Sequence, residues 1–234
     1  MRKLYVANKN YSSWSMRPWV LMKQAGIEFE EVTVRFDSVD TFNPNSQFKR
    51  AMASLSPTAL VPLLVDGDIK VWDTLSIVEY LAETCADKQL WPLDVAARAH
   101  ARSICAEMHA GFRALRGACP MNIEADLAQQ GALTWRDRAD VRADVQRIID
   151  MWSQLLAANA GQHADGMLFG RFCIADAYFA PVVMRFTRYA LPVPAQIQAY
   201  MQRVQALPGV KAWVDAALAE KDFVVADEPY RLAR

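Results

Sequence analysis

Two neighbouring stretches decide the fold: Val61-Pro62-Leu63-Leu64-Val65 and Asp73-Thr74-Leu75-Ser76-Ile77-Val78-Glu79-Tyr80-Leu81. The first reads as a short strand entered through a proline. That proline withholds one backbone N–H and permits a sharp, cis turn. It leaves the backbone of Val61 to pair with an extended peptide ligand. The second stretch opens a helix with a carboxylate and a hydroxyl. Asp73 and Thr74 there supply an acceptor for an ammonium and a donor for a carboxylate, beside free helix N–H groups. Together these parts suit a small zwitterionic peptide.

Outward from this stretch, the first third alternates strand and helix signals. Residues 3–7 read as a strand. Residues 15–26 read as a helix, with Pro18 tolerated near the first turn and Gly26 closing the end. Residues 28–34 alternate apolar and charged side chains, as a half-buried strand does. Residues 41–53 read as a weak helix or loop. Residues 62–65 and 69–72 flank the hairpin signal Asp66-Gly67-Asp68. Residues 74–84 are a helix carrying Leu75, Val78 and Leu81 at helical spacing. The order is β-α-β-α-β-β-α.

After Trp91-Pro92-Leu93 the strand signals stop. Long helices are expected over residues 95–119, 134–160 and 174–189, the last kinked at Pro181, and shorter ones over 194–206 and 210–220. The shift in composition near residues 86–93 divides the chain into an α/β domain, 1–85, and an all-helical domain, 93–234.

Lysine plus arginine and aspartate plus glutamate balance at 26 each, with no long run of either sign. Nucleic acid and anionic membrane are therefore not expected as main partners. No run of apolar residues is long enough to span a bilayer, and residues 1–8 lack the apolar core of a signal peptide. Cys85, Cys105, Cys119 and Cys173 are scattered, without CxxC or metal-ligand spacing. They read as reduced thiols in a cytoplasmic protein with no metal.

A small mixed sheet followed by an all-helical domain, with these motifs, resembles the cytosolic glutathione S-transferase family. The likeness spans nearly the whole chain and is strongest at residues 3–26, 56–83 and 168–180. Asn10-Tyr11-Ser12-Ser13-Trp14-Ser15-Met16-Arg17 resembles the SSCSWR opening of the zeta-type enzymes, with Trp14 in place of the cysteine. The chain looks like a bacterial protein of that general kind. The resemblance implies a thioredoxin-like N-terminal domain that binds glutathione and a helical domain that forms the pocket for an electrophile.

It also implies roles. Ser12 matches the thiolate-activating serine, with Ser13, Tyr11 and Ser15 as other hydroxyl candidates. Arg17 is either a nearby cation or half of a structural ion pair. Asp73 and Thr74 match the residues that contact the γ-glutamyl end of glutathione. Val61 would pair with the cysteinyl unit, and Pro62 would be the family's cis-proline. Leu60 departs from the polar residue often found before Val-Pro, so the glycyl carboxylate either finds another partner, Lys49 or Arg50, or binds weakly. His109 and Arg113, four residues apart on the first long helix, would share a face and with Phe112 and Arg116 shape the electrophile pocket. Met121, Trp152 and Trp213 read as core. Asp176 matches the acidic member of a capping box whose usual hydroxyl N-cap is replaced by Cys173.

The chemistry required is thiolate stabilisation. A free thiol titrates near ~8.5, and the thiolate is the nucleophile. One hydrogen bond to a charged group contributes roughly 1.5–3 kcal/mol, enough to lower a thiol pKa by about one to two units. The expected activity is conjugation of glutathione to a small, apolar electrophile by a homodimer. The alternatives are glutathione-dependent cis-trans isomerisation of the maleylacetoacetate kind and a non-catalytic glutathione-binding protein.

Overall fold

The computed structural model describes residues 1–37, 41, 43–161 and 165–233. The first part holds β1 (Lys3–Val6), α1 (Ser13–Gln24), β2 (Glu30–Thr33), α2 (Gln47–Ala53), β3 (Leu63–Asp66), β4 (Ile69–Trp72) and α3 (Thr74–Thr84). This is the expected β-α-β-α-β-β-α order. Of the reading over 41–53, only α2 is helical; residue 42 lies outside the described residues. The strands form one sheet in the order β2-β1-β3-β4. β1 runs parallel to β2, and β3 is antiparallel to both of its neighbours.

The pleat divides the apolar side chains between two faces. Leu4, Val6 and Leu64 pack with Met16 and Val20 of α1 and Ile77, Val78 and Leu81 of α3. Ala7 and Leu63 pack with Phe48 and Met52 of α2 on a second, smaller core. Each fully buried Leu or Val contributes roughly 1.5–3 kcal/mol. The first core runs on without interruption into the helical part.

That part comprises α4 (Val95–Ala110), α5 (Arg113–Ala118), α6 (Ala128–Asp137), α7 (Ala139–Ala158), α8 (Ile174–Arg188), α9 (Ala195–Ala206) and α10 (Pro208–Ala219). α1 packs on α8 and α10, and so joins the sheet to the helices. Trp152 and Trp213 are fully buried in the core, as expected. α8 runs on through Pro181.

Two of the expected long helices are broken, by the same device. Residues 95–119 divide because Gly111 is extended and Phe112 is left-handed, at φ 54°. The Arg116 guanidinium donates to the carbonyls of His109 (3.2 Å) and Gly111 (3.1 Å), which the break leaves without helical partners. Residues 134–160 divide at extended Arg138, and Arg142 donates to the carbonyls of Trp135 (2.5 Å) and Arg136 (3.0 Å). An arginine a turn beyond each break thus replaces the lost backbone bonds. α1 starts at Ser13, two residues earlier than read, so Pro18 lies beyond its first turn. The capping box at α8 closes even with sulfur in the N-cap: Asp176 accepts from the Cys173 amide at 3.0 Å.

Candidate functional site

The site lies where α1 begins, against the loop before β3. The Val61–Pro62 peptide bond is cis. Asp73 caps α3, accepting from the Leu75 amide at 2.9 Å. It does so at φ 72°, ψ 137°, a conformation costly for any residue but glycine, by about 1–3 kcal/mol. Such strain persists only where the surroundings hold it. Here the carboxylate is also held from outside: Oδ2 lies 3.3 Å from Nε2 of His109, and Nδ1 of that ring shares a 2.9 Å hydrogen bond with the Tyr178 hydroxyl.

Two adjoining cavities open at this place. The smaller, about 360 Å³, is lined by Pro62, Asp73, Thr74, His109 and Trp72 among others. The larger, about 510 Å³, is lined by Tyr11, Ser12, Ser13, Met121, Arg113, Arg116, Arg185 and Asp227 among others. Trp14, Leu60 and Val61 border both. The structure therefore brings Val61, Pro62, Asp73 and Thr74 together, and Tyr11, Ser12, Ser13 and Arg113 together.

His109 falls on the smaller cavity and Arg113 on the larger. The expected shared face does not form, because the break at Gly111-Phe112 puts the two residues on different helices. Met121 is 1% exposed and packs in the core, but it also forms cavity wall, which its reading as core alone did not include.

The start of α1 is prepared for an anion. Ser12 is the N-cap residue, yet its side chain caps no backbone amide. Its Oγ donates instead to Ser15 Oγ at 2.7 Å, and Ser15 in turn accepts from the Ala7 amide at 3.3 Å. The first amides of a helix have no acceptor within it. The Ser13 amide donates to the Tyr11 carbonyl at 2.8 Å, and with no side-chain cap the amides of Trp14 and Ser15 are left to a ligand, with the positive end of the helix dipole behind them. Ser13 Oγ accepts from Arg185 Nη2 at 3.3 Å, which leaves its own proton for another partner.

Tyr11 is differently engaged. Its hydroxyl donates to the Glu228 carboxylate at 2.8 Å. Burial first, then that bond, pushes the phenol up to about 12. Its proton is committed to the C-terminal segment.

Among the described residues Arg17 makes no ion pair. It is buried, with Nε donating to the Tyr178 carbonyl and Nη1 to the Ser13 carbonyl, both at 2.9 Å. Its guanidinium lies 4.3 Å from the centre of the Trp14 ring and 4.9 Å from that of Tyr178. Burial lowers its pKa to about 9, so it stays a cation at neutral pH. Arg116 lies over the Trp14 ring at 4.9 Å, and His109 meets it at 5.1 Å.

Trp14 is thus the hub of the site, a part that reading it as a substituted cysteine did not show. Arg185 and Asp227 also escaped the sequence reading. Arg185 had one legible sign: a charge in the otherwise apolar run from Ala177 to Phe186. Lys49 donates to the Ala59 carbonyl at 3.1 Å, beside Leu60, whereas Arg50 is exposed on α2.

A mixed sheet with a cis-proline edge, joined to a helical domain with a cleft between them, defines a scaffold seen in known proteins. A glutathione transferase homologue from Burkholderia, solved with bound glutathione, superposes with a TM-score of 0.66 over 94% of this chain and 99% of its own, at 24% identity. The family model described as glutathione S-transferase, N-terminal domain, matches residues 11–84, and that for the C-terminal domain matches residues 96–216. The chain belongs to the glutathione S-transferase family. Among curated relatives, glutathione S-transferase 1 of Dianthus caryophyllus is 25% identical over 95% of this chain and 90% of its own. Maleylacetoacetate isomerase of Rattus norvegicus is 25% identical over 80% of this chain and 78% of its own. No helix among the described residues is long and apolar enough to cross a membrane.

Proposed function

We propose that this protein conjugates glutathione, as thiolate, to a small electrophile. The tripeptide lies along Val61 and Pro62, with its γ-glutamyl ammonium on Asp73 and its α-carboxylate on Thr74 and the amides opening α3. Lys49, beside Leu60, takes the glycyl carboxylate. The sulfur reaches the start of α1, where Ser12 and Ser13 turn their hydroxyl protons onto it. The observation that carries this reading is the N-cap serine that caps no amide: the Ser13 hydroxyl proton is left for an anion, and the Ser12 proton, held on Ser15 Oγ, has only to rotate to reach one.

In the reaction the thiol loses its proton to solvent and the thiolate attacks an electrophilic carbon. A C–S bond forms, and the leaving group departs with its electron pair. Catalysis comes from stabilising the thiolate and from bringing two bound reactants together. The chain then acts in cytoplasmic detoxification as a homodimer. Exposed Ile69 and Trp72 on β4, Leu93 before α4 and Val95 at its start offer the apolar surface for the second copy.

A second reading, glutathione-dependent cis-trans isomerisation, has support in the relatives named maleylacetoacetate isomerase. Incubation with glutathione and 1-chloro-2,4-dinitrobenzene separates the readings. Conjugation releases chloride and consumes one glutathione per turnover. A protein that binds glutathione and consumes none with any electrophile would refute the transferase reading.

A further inference from the structure

The wall of the larger cavity carries an arginine that makes no direct ion pair among the described residues. Arg185 sits on α8 and is 7% exposed. Its guanidinium donates to Ser13 Oγ at 3.3 Å, and Nη1 has no hydrogen-bond partner among the described residues. No carboxylate among them lies within 4.0 Å of Arg185, Arg113, Arg116 or Arg17. The ion pairs that other arginines make among the described residues involve none of the residues lining this cavity.

A buried guanidinium without an anion is costly. Burial lowers the pKa of Arg185 to about 10, so the group remains charged at neutral pH. Arg17 and Arg116 are differently placed, because carbonyls and the Trp14 ring occupy their donors. Arg113 is exposed at the rim. The one acid on the wall is Asp227, beyond direct contact with Arg185; burial and then Glu228 raise its carboxyl to about 6 against the opposing pull of Arg185. Three cations thus face one carboxylate in a cavity whose wall away from the Tyr11, Ser12 and Ser13 hydroxyls is apolar, with Phe36, Phe48, Pro120 and Met121. The whole chain, by contrast, is charge-balanced.

We infer that the electrophile this protein takes bears a carboxylate, held in the larger cavity by Arg185 with Arg113 at the rim. The planar fork of a buried guanidinium matches a carboxylate with two parallel hydrogen bonds. Rim residues admit the acid, and the apolar wall takes the rest of the molecule. This deepens the conjugation reading and rests on it.

The test uses two conjugates that differ only in charge, S-(4-carboxybenzyl)glutathione and S-(4-carbamoylbenzyl)glutathione, with glutathione itself as control. Sulfur is a thioether in both, so any effect of Arg185 on the thiolate drops out. Binding is measured by calorimetry for the wild-type protein, Arg185→Gln and Arg113→Gln. The wild type should bind the acid roughly 10- to 150-fold more tightly than the amide, the worth of hydrogen bonds to a charged group. That preference should fall at least tenfold in Arg185→Gln and by a smaller factor in Arg113→Gln. Equal affinity of the wild type for acid and amide overturns the inference even if Arg185→Gln does not fold. So does a preference that survives in Arg185→Gln. If glutathione itself fails to bind, the conjugation reading falls and takes this inference with it; if glutathione binds and acid and amide are alike, only the inference falls.

Discussion

His109 lies against Asp73 across the boundary between the two halves of the chain, Nε2 3.3 Å from Oδ2. Asp73 opens the last helix of the α/β part, and His109 stands in the last turn of the first long helix beyond it. The ring is tied in turn to Tyr178 of α8. An acid proposed to hold the ammonium of glutathione is thus oriented from the helical side.

Both partners are part-exposed, so their pairing is worth about 0.2–1 kcal/mol. His109→Ala should therefore raise the glutathione KM roughly two- to fivefold and leave kcat near its wild-type value. Asp73→Ala removes a direct charged contact and should raise that KM roughly 10- to 150-fold. Saturation curves in glutathione check both. A fall in kcat at unchanged KM for either variant would reassign it from binding to chemistry.

Lys49 tests the answer to Leu60. Its ammonium reaches the Ala59 carbonyl, in the loop that leads to the cis-proline. Lys49→Met should weaken glutathione binding roughly tenfold, while Arg50→Met should change it less than twofold. Equal losses in the two variants would remove Lys49 as the carboxylate partner.

Asp176 tests the fold rather than the site. Its carboxyl accepts from the Leu168 amide (3.1 Å), the Cys173 amide (3.0 Å) and the Tyr200 hydroxyl (3.1 Å), all in the core. Asp176→Ala strands three buried donors and should cost about 3–5 kcal/mol. In a chain of this size that lowers Tm by roughly 6–20 °C. A fall under about 2 °C would mean that the capping box is dispensable.

Much of this architecture was legible. Alternation and turn residues marked the strands, and Val61-Pro62 with Asp73-Thr74 marked the smaller cavity, because those positions are set by local backbone chemistry. The breaks at Gly111-Phe112 and Arg138 were not. Gly111 was visible, but a helix that stops and restarts depends on the long reach of Arg116 and Arg142 to carbonyls a turn or more away. The larger cavity was the least legible, because it gathers Ser13, Arg113, Arg185 and Asp227 from four separate segments. Trp14 was misjudged for a similar reason. Its part comes from Arg17, Arg116 and His109 converging on one ring, which spacing along the chain does not reveal.

Ser12 and Ser13 carry the chemical claim. Ser12→Ala should lower kcat at neutral pH roughly 10- to 100-fold with little change in glutathione KM, and Ser13→Ala should do the same to a smaller extent. The double variant should lose at least as much as Ser12→Ala. Stopped-flow or steady-state rates at several pH values would show the losses shrinking as pH rises and the thiol ionises unaided.

The most direct measurement is the ultraviolet titration of the thiolate of glutathione bound to the wild-type protein and to Ser12→Ala. The account predicts a bound thiol with a pKa about one to two units below the ~8.5 of a free thiol, raised again by about a unit or more in Ser12→Ala. A bound thiol that titrates at ~8.5 in the wild-type protein, or one that Ser12→Ala and Ser13→Ala both leave unmoved, would contradict it.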